Sequence, residues 1–203
     1  MSFSKYLTIL CLTCVAFIFQ TGYVDTSYSQ APTVVAMPVN KFNSKNGDSK
    51  AIFKPGSTVS VYVDPSATND TKLGMADAIS NWNQAGVVNL TMTNDPTQAQ
   101  VKVANGQLHA DQSIVFGLTR RYGTKTNITG DNITINVDAI NKYHSVNNMS
   151  IPEYTDMVCT HELGHALGLE HATPGTNSVM QPGTDRNIQP YDIQRLQMLY
   201  DQN

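Results

Sequence analysis

Three histidines lie within eleven consecutive residues of this chain, together with Glu162 and Gly168, at a spacing that suits a catalytic metal site. His161 and His165 are four residues apart, so on a helix both side chains lie on one face and can bind one metal ion. Glu162 is about 100° further round such a helix. It points past the metal, towards the place where a bound water would lie, which suits a general base.

The third histidine, His171, cannot use the same helix. It lies ten residues beyond His161, which is about 15 Å along the axis if the helix continued. The helix must therefore end and the chain must turn back, and Gly168 is the residue that permits a positive φ there. As ligands, His161, His165 and His171 would leave a tetrahedral zinc ion with one open position for water.

A methionine, Met180, follows nine residues after His171. With the histidine motif it resembles the signature of the metzincins, zinc peptidases with a long histidine motif and a later Met-turn. The C-terminal pair Leu199 and Tyr200 resembles the matrixin-like branch. The resemblance implies that Met180 forms an apolar floor beneath the zinc without binding it. It also implies that Asp192 is a buried brace of the Met-turn, with a plain charge at a helix N-terminus as the alternative.

The resemblance, which is specific over roughly residues 155–200, also implies the fold. We expect an α+β, metzincin-like zinc peptidase domain. A twisted mixed sheet and the zinc-binding helix should lie above the cleft, and a small C-terminal helical subdomain below it. Apolar patterns predict strands, in chain order, at residues 58–63, 87–93, 99–103, 113–119 and 132–137.

Caps and apolar spacing predict three helices. The first begins at Thr68 or Asp70 and should bury Leu73, Ala76, Ile79 and Trp82. Ser150 and Glu153 form a capping box that opens the zinc-binding helix, which should run to about the glycine of the motif. The last helix should span about residues 190–200, with an inward face of Ile193, Leu196 and Tyr200.

The N-terminus has the composition of a signal peptide, which we predict at residues 1–29. Lys5 precedes an apolar run at residues 7–19, which is shorter than the about 20 residues that span a bilayer. Cleavage before Gln30 would give a secreted, extracellular protein, and an uncleaved, cell-surface anchor is the alternative. Only Cys159 would then remain, so the mature chain could form no internal disulfide.

The rest of the chain divides into a polar lead-in or short pro-segment at residues 30–54 and a matrixin-like metallopeptidase domain at residues 55–203. The net charge is −3, and no basic run favours nucleic acid. We expect a monomer that meets no membrane after signal cleavage and takes a protein or peptide as its substrate.

Several further residues have weaker functional interpretations. His109 and His144 are more typical of surface or hydrogen-bonding roles than of a second zinc site, and Cys159 is more typical of a buried apolar position. Gly130 and Asp131 resemble the family's strand along the cleft, but their neighbours depart from its histidine and acidic pattern, so no clear motif supports calcium. Residues 46–48 faintly resemble an aspartate switch for latency, and a plain turn is the alternative.

At residues 181–184 the sequence departs from the usual matrixin pattern, in a region that bears on substrate specificity. Matrixins usually place tyrosines after the Met-turn methionine, and this chain has Gln-Pro-Gly-Thr there. Substrate preference therefore cannot be carried over from the family.

Our functional prediction is a secreted zinc-dependent endopeptidase in which Glu162 is the general base. The alternative is a secreted or surface binding module that keeps the fold and the zinc but has little turnover.

Overall fold

A five-stranded mixed sheet is the framework of the protein in the computed structural model, which describes residues 51–108, 114–124, 127–181 and 187–201. Its strands, in chain order, are β1 (Thr58–Val63), β2 (Asn89–Met92), β3 (Val101–Asn105), β4 (Gly117–Gly123) and β5 (Ile128–Ile135). Their order across the sheet is β2-β1-β3-β5-β4. The edge strand β4 pairs antiparallel with β5, and the other pairings are parallel. The predicted mixed sheet is confirmed.

Within the described residues, four α-helices accompany the sheet: α1 (Asn69–Gln84), α2 (Val137–Tyr143), α3 (Ile151–Ala166) and α4 (Pro190–Asp201), with a 3-10 turn at His144–Asn147. Thr68 caps α1 by accepting a hydrogen bond from the Thr71 amide. Ser150 and Glu153 form the predicted capping box at the start of α3. The predicted inward face of α4 is also confirmed, since all three of its residues are buried.

The buried face of α1 differs from the predicted one. Leu73 is 65% exposed and Ala76 is also exposed, so half of the predicted face was wrong. The helix turns Gly74 towards α3, where an added Cβ would lie 3.1 Å from the Asp156 Cα. This close approach rotates the apolar leucine outward. Trp82 stays inside as predicted, and its indole N–H donates to the Thr160 carbonyl of α3 over 3.0 Å.

The last two strands lie at different positions from those predicted. Strand β4 extends further along the chain than residues 113–119, through the polar stretch that ends at Gly123, and residue 113 lies outside the described residues. An edge strand tolerates this polarity because half of it faces solvent. Strand β5 begins earlier and ends at Ile135, because the Asn136 side chain accepts from the Ala139 amide and starts α2. The apolar pattern did not predict α2.

The packed core extends upstream of residue 55. Ala51, Ile52 and Phe53 are all buried, and Ile52 forms a bridge with Asn127. The predicted signal peptide and the lead-in up to residue 50 lie outside the described residues. None of the helices in the described part of the chain is both long enough and apolar enough to cross a bilayer.

Candidate metal centre

Helix α3 carries His161 and His165, which are half-buried and lie one helical turn apart. Between them lies Gly164, where an added Cβ would collide with the Met180 sulfur and come within 2.9 Å of the Trp82 ring. Glycine is therefore required for α3 to pack this closely on its neighbours. The close packing places both imidazoles directly beside the loop that follows the helix.

Two backbone carbonyls fix the orientation of these imidazoles. The Nδ1 atom of His161 is 2.8 Å from the Val179 carbonyl oxygen, and that of His165 is 2.7 Å from the Leu169 carbonyl oxygen. A carbonyl can only accept, so each Nδ1 donates its proton and each Nε2 keeps a free lone pair. Such contacts are the outer partners that orient metal-binding histidines in other proteins.

The helix ends where the sequence predicts a turn. Gly168 has a φ of 106°, and its amide donates to the His165 carbonyl over 3.0 Å. The Leu169 amide then reaches back to the Gly164 carbonyl over 3.1 Å. This reversal returns the chain towards the helix, so that one nitrogen each of His161, His165 and His171 lies within 4.8 Å of the other two.

The electrostatics of the site favour neutral imidazoles. Burial lowers the pKa of His161 to about 4, with a further lowering from the neighbouring His171. Burial lowers the pKa of His165 to about 3, and the adjacent His161 adds to this shift. Metal ligation requires unprotonated histidine. Three imidazoles form a donor set that suits zinc, so the residues fit this ion. Within the described residues, these three histidines are the one group of three or more histidine, cysteine, aspartate or glutamate side chains that could hold a metal ion.

Glu162 is buried beside the three histidines and is held by the edge strand β4. The Thr119 hydroxyl lies 2.7 Å from its Oε2 atom and 2.9 Å from its backbone carbonyl. Burial raises the pKa of Glu162 to about 7, and the Thr119 hydrogen bond opposes this rise. At Gly117, an added Cβ would lie 2.5 Å from the Glu162 Oε1 atom. The sequence interpretation missed both β4 residues, because they lie far from the motif in the chain.

A cavity of about 240 Å³ opens next to Glu162 and His161. Its walls are mainly apolar, and two of its aromatic rings, Phe116 and Tyr154, have centroids 5.0 Å apart. The other apolar residues in the walls are Ile114, Val115, Met157, Val158 and Val179. The cavity could therefore take an apolar group next to the candidate metal site.

The turn that contains Met180 lies beneath the histidines and is tied to α4. Met180 is fully buried, and its carbonyl accepts from the Ala172 amide over 2.9 Å. The carboxylate of Asp192 accepts hydrogen bonds from the Ser178 hydroxyl and, over 2.9 Å, from the Val179 amide. Burial raises the pKa of Asp192, and these hydrogen bonds oppose the rise. These contacts are those expected of a brace.

The other sequence candidates lie apart from the metal site. Cys159 is buried against α1, with its sulfur 4.0 Å from the Thr71 carbonyl, and burial raises the pKa of its thiol. His144 binds the Met149 carbonyl through Nδ1 over 2.6 Å. Asp131 is buried in β5 opposite an arginine of β4. His109 and residues 46–48 and 182–184 lie outside the described residues.

Comparison with known proteins found one matching family and similar solved structures. The family model described as Matrixin matches residues 58–201, which is most of the chain. The protein is also similar to the crystal structure of archaemetzincin from Methanopyrus kandleri, at 15% identity and a TM-score of 0.45 over 75% of this chain and 97% of that one. No curated protein sequence gives a significant match. Because the family model covers both the sheet and the histidine motif, the chain belongs to the matrixin family, as the sequence resemblance predicts.

Proposed function

We propose that the protein is a secreted, zinc-dependent endopeptidase with one catalytic zinc ion held by His161, His165 and His171. Membership of the matrixin family supports a zinc metallopeptidase. The observation that carries the specific assignment is the geometry of the three imidazoles. Their ligand atoms converge, two of them keep Nε2 free through backbone contacts, and a buried carboxylate lies beside them.

The three histidines would hold a zinc ion, which would supply a Lewis acid to lower the pKa of a water and to stabilise negative charge on a peptide carbonyl. Glu162 accepts the proton of the attacking water and passes it to the leaving amine. Burial raises the pKa of this carboxyl group above its ordinary value, which is the direction that makes a carboxylate a better proton acceptor. Thr119 holds the carboxylate in one orientation through its hydroxyl.

The substrate in this proposal is an extended peptide or protein segment. Among the described residues, strand β4 forms the edge of the sheet and runs along α3, so its outer side can pair with an extended chain. The cavity beside Glu162 would hold an apolar substrate side chain, since its walls are largely aliphatic and aromatic. Cleavage-site profiling would give the exact side-chain preference of this cavity.

The test compares the wild-type protein, Glu162→Gln and the control Asp201→Asn on an unbiased peptide library, with and without a chelator. Asp201 is an exposed carboxylate at the end of α4. We expect the wild type and the control to cleave peptides only when zinc is present. Glu162→Gln should keep its zinc and lose on the order of 10²–10⁴-fold in kcat.

Two outcomes would contradict the proposal. A near-normal kcat in Glu162→Gln would show that Glu162 is not the general base. A wild-type protein that binds zinc tightly but cleaves no peptide would favour the alternative, a binding module that keeps the fold and metal.

Secretion is part of the proposal and has its own test. We propose that residues 1–29 direct export and are removed, and that the mature protein is monomeric and free of membranes. Expression of the full chain with its leader should give an extracellular product that begins at Gln30, as N-terminal sequencing would detect. Retention of the whole chain in the membrane fraction would favour an uncleaved anchor instead.

A further inference from the structure

Arg121 lies on β4, on the same face as the two residues that contact Glu162. Gly117 and Thr119 precede it at alternate positions of the strand, and side chains at alternate positions share one face of a strand. The guanidinium of Arg121 donates from one Nη atom to the backbone carbonyl of His165. The face of β4 towards α3 therefore contacts both the candidate base and the end of the ligand-bearing helix.

The carbonyl that Arg121 contacts lies at the C-terminal end of α3. The last four carbonyls of a helix lack partners within the helix, and they carry its partial negative charge. The His165 carbonyl already accepts from the Gly168 amide over 3.0 Å, and Arg121 adds a charged donor to it. A charge-assisted hydrogen bond at this point stabilises the helix end that orients His165.

The same guanidinium also reaches the chain just before the third histidine. Its other Nη atom is 3.8 Å from the Glu170 carboxylate, and Glu170 directly precedes His171. From the opposite side, Arg195 of α4 donates to the Glu170 carbonyl over 2.8 Å. The short segment between the second and third histidines is thus held by one arginine from the sheet and one from α4.

A buried carboxylate lies behind the guanidinium. The Nε atom of Arg121 is 3.9 Å from Asp131, which is buried on the paired strand β5. Among the described residues, neither this Nε atom nor the Asp131 carboxylate has a hydrogen-bond partner. Asp131 is thus a cross-strand neighbour of Arg121 on the same face of the sheet, at a distance longer than a hydrogen bond.

We propose that Arg121 is a positioning residue for the metal centre, which joins the helix end after His165 to the segment before His171. This inference rests on the proposed zinc site. Arginine suits the role because its planar fork can serve several acceptors at once from a fixed direction. A lysine at this position would offer a point charge and could not reach all three groups with the same geometry.

The experiment measures the zinc dissociation constant of folded protein by chelator competition, together with the visible spectrum of the cobalt-substituted form. The variants are Arg121→Ala and Arg121→Lys. The matched control is Arg120→Ala, which removes the neighbouring exposed arginine on the other face of β4. A second control, Leu90→Ala, removes a buried side chain of β2 and lowers stability without touching the site.

We expect Arg121→Ala to raise the zinc dissociation constant by about tenfold or more and to alter the cobalt spectrum, as changes to the outer partners of metal ligands do. Arg121→Lys should give a smaller change, and both controls should bind zinc like the wild type. If Arg121→Ala does not fold, Arg121→Lys carries the test.

The inference is overturned if folded Arg121 variants match Arg120→Ala in zinc affinity and cobalt spectrum, whatever their stability. It is also overturned if Leu90→Ala weakens zinc binding as much as Arg121→Ala, because the effect would then be general destabilisation. A wild-type protein that binds no zinc would refute the proposed function together with this inference. A wild type that binds zinc normally beside unaffected Arg121 variants would refute the inference alone.

Discussion

Two of the histidines of the candidate metal centre, His161 and His165, lie on a helix, whereas His171 lies on a loop. Different interactions stabilise these two parts of the site. We call α3 the helix half and residues 168–181 the loop half. The helix half has a capping box at its start and a buried face along its length. The loop half, all of which the structure describes, forms no helix or strand.

The helix half is stabilised largely by local and core interactions. Its backbone is hydrogen-bonded internally, its first turn is capped by Ser150, and Trp82 of α1 donates to its Thr160 carbonyl. These contacts do not involve the metal. The two histidines of this half are therefore arranged for binding before an ion arrives.

The loop half depends on contacts from other elements. Asp192 of α4 holds the turn at Ser178 and Val179, while Arg121 and Arg195 reach the segment at Glu170. Each contact joins residues far apart in the chain. The position of His171 is therefore a property of the whole fold, and it is the part of the site that disruption of distant contacts should affect first.

Removal of the metal is the strongest test of whether the loop half depends on outside contacts more than the helix half does. A chelator should increase hydrogen exchange at residues 168–172 by about tenfold or more, because the ion joins His171 to the helix half. Amides in the middle of α3 should change much less. Equal increases in both regions would show that the two halves form one cooperative unit.

A methyl group at Gly117 should disturb the chemistry of the helix half without removing its ligands. In Gly117→Ala the new Cβ would lie 2.5 Å from the Glu162 carboxylate and displace it. We expect about a 10²-fold loss in kcat, as for other small displacements of catalytic groups, with full zinc occupancy. Leu118→Ala, on the other face of the same strand, is the control, and a near-normal kcat in Gly117→Ala would contradict the placement of Glu162.

The loop half should be sensitive to loss of its buried aspartate. Asp192→Ala leaves the Ser178 hydroxyl and the amides of Val179 and Gln189 without their acceptor. We expect the free energy of unfolding to fall by about 3 kcal/mol, since buried groups without partners are costly. Denaturant unfolding measures this, with exposed Asp201→Ala as the control. A loss no greater than that of the control would mean that Asp192 does not brace the turn.

The helix half contains a half-buried aspartate, Asp156, whose charged form should lower the stability of the fold. Asp156 Oδ1 has no hydrogen-bond partner among the described residues. Burial raises the pKa of this carboxyl to about 6, and the nearby negative charge of Asp77 adds to the rise. The unfolded chain therefore loses the proton first, so stability falls as the pH rises from 3.8, the ordinary pKa of aspartate, to about 6.

Asp156→Asn mimics the protonated form and should raise Tm at pH 7. Because the carboxyl is partly exposed and screened by solvent, we expect a gain of only about 2 °C. Below pH 3.8 the two proteins should differ little, since the wild-type carboxyl is then protonated in both states. A lower Tm for the variant at pH 7 would show that the charged carboxylate is stabilising.

Much of the helix half could be predicted from the sequence. The capping box at Ser150, the spacing of His161 and His165, and the glycine after the helix are all local features, and local features are set by helix periodicity and backbone freedom. The first strand and the last helix followed from apolar periodicity in the same way. The predicted face of α1 was half wrong because close packing at Gly74, and not apolar spacing, decides which side is buried.

The sequence by itself determined which residues could bind a metal, where their helix begins and where it must turn. Only the tertiary structure decided which groups surround them, because a strand's position in a sheet does not follow from its own residues. It placed Gly117, Thr119 and Arg121 of β4 against a helix that lies far away in the chain, and it placed α4 under the Met180 turn. These contacts join distant segments, and no local pattern of side chains encodes such a pairing.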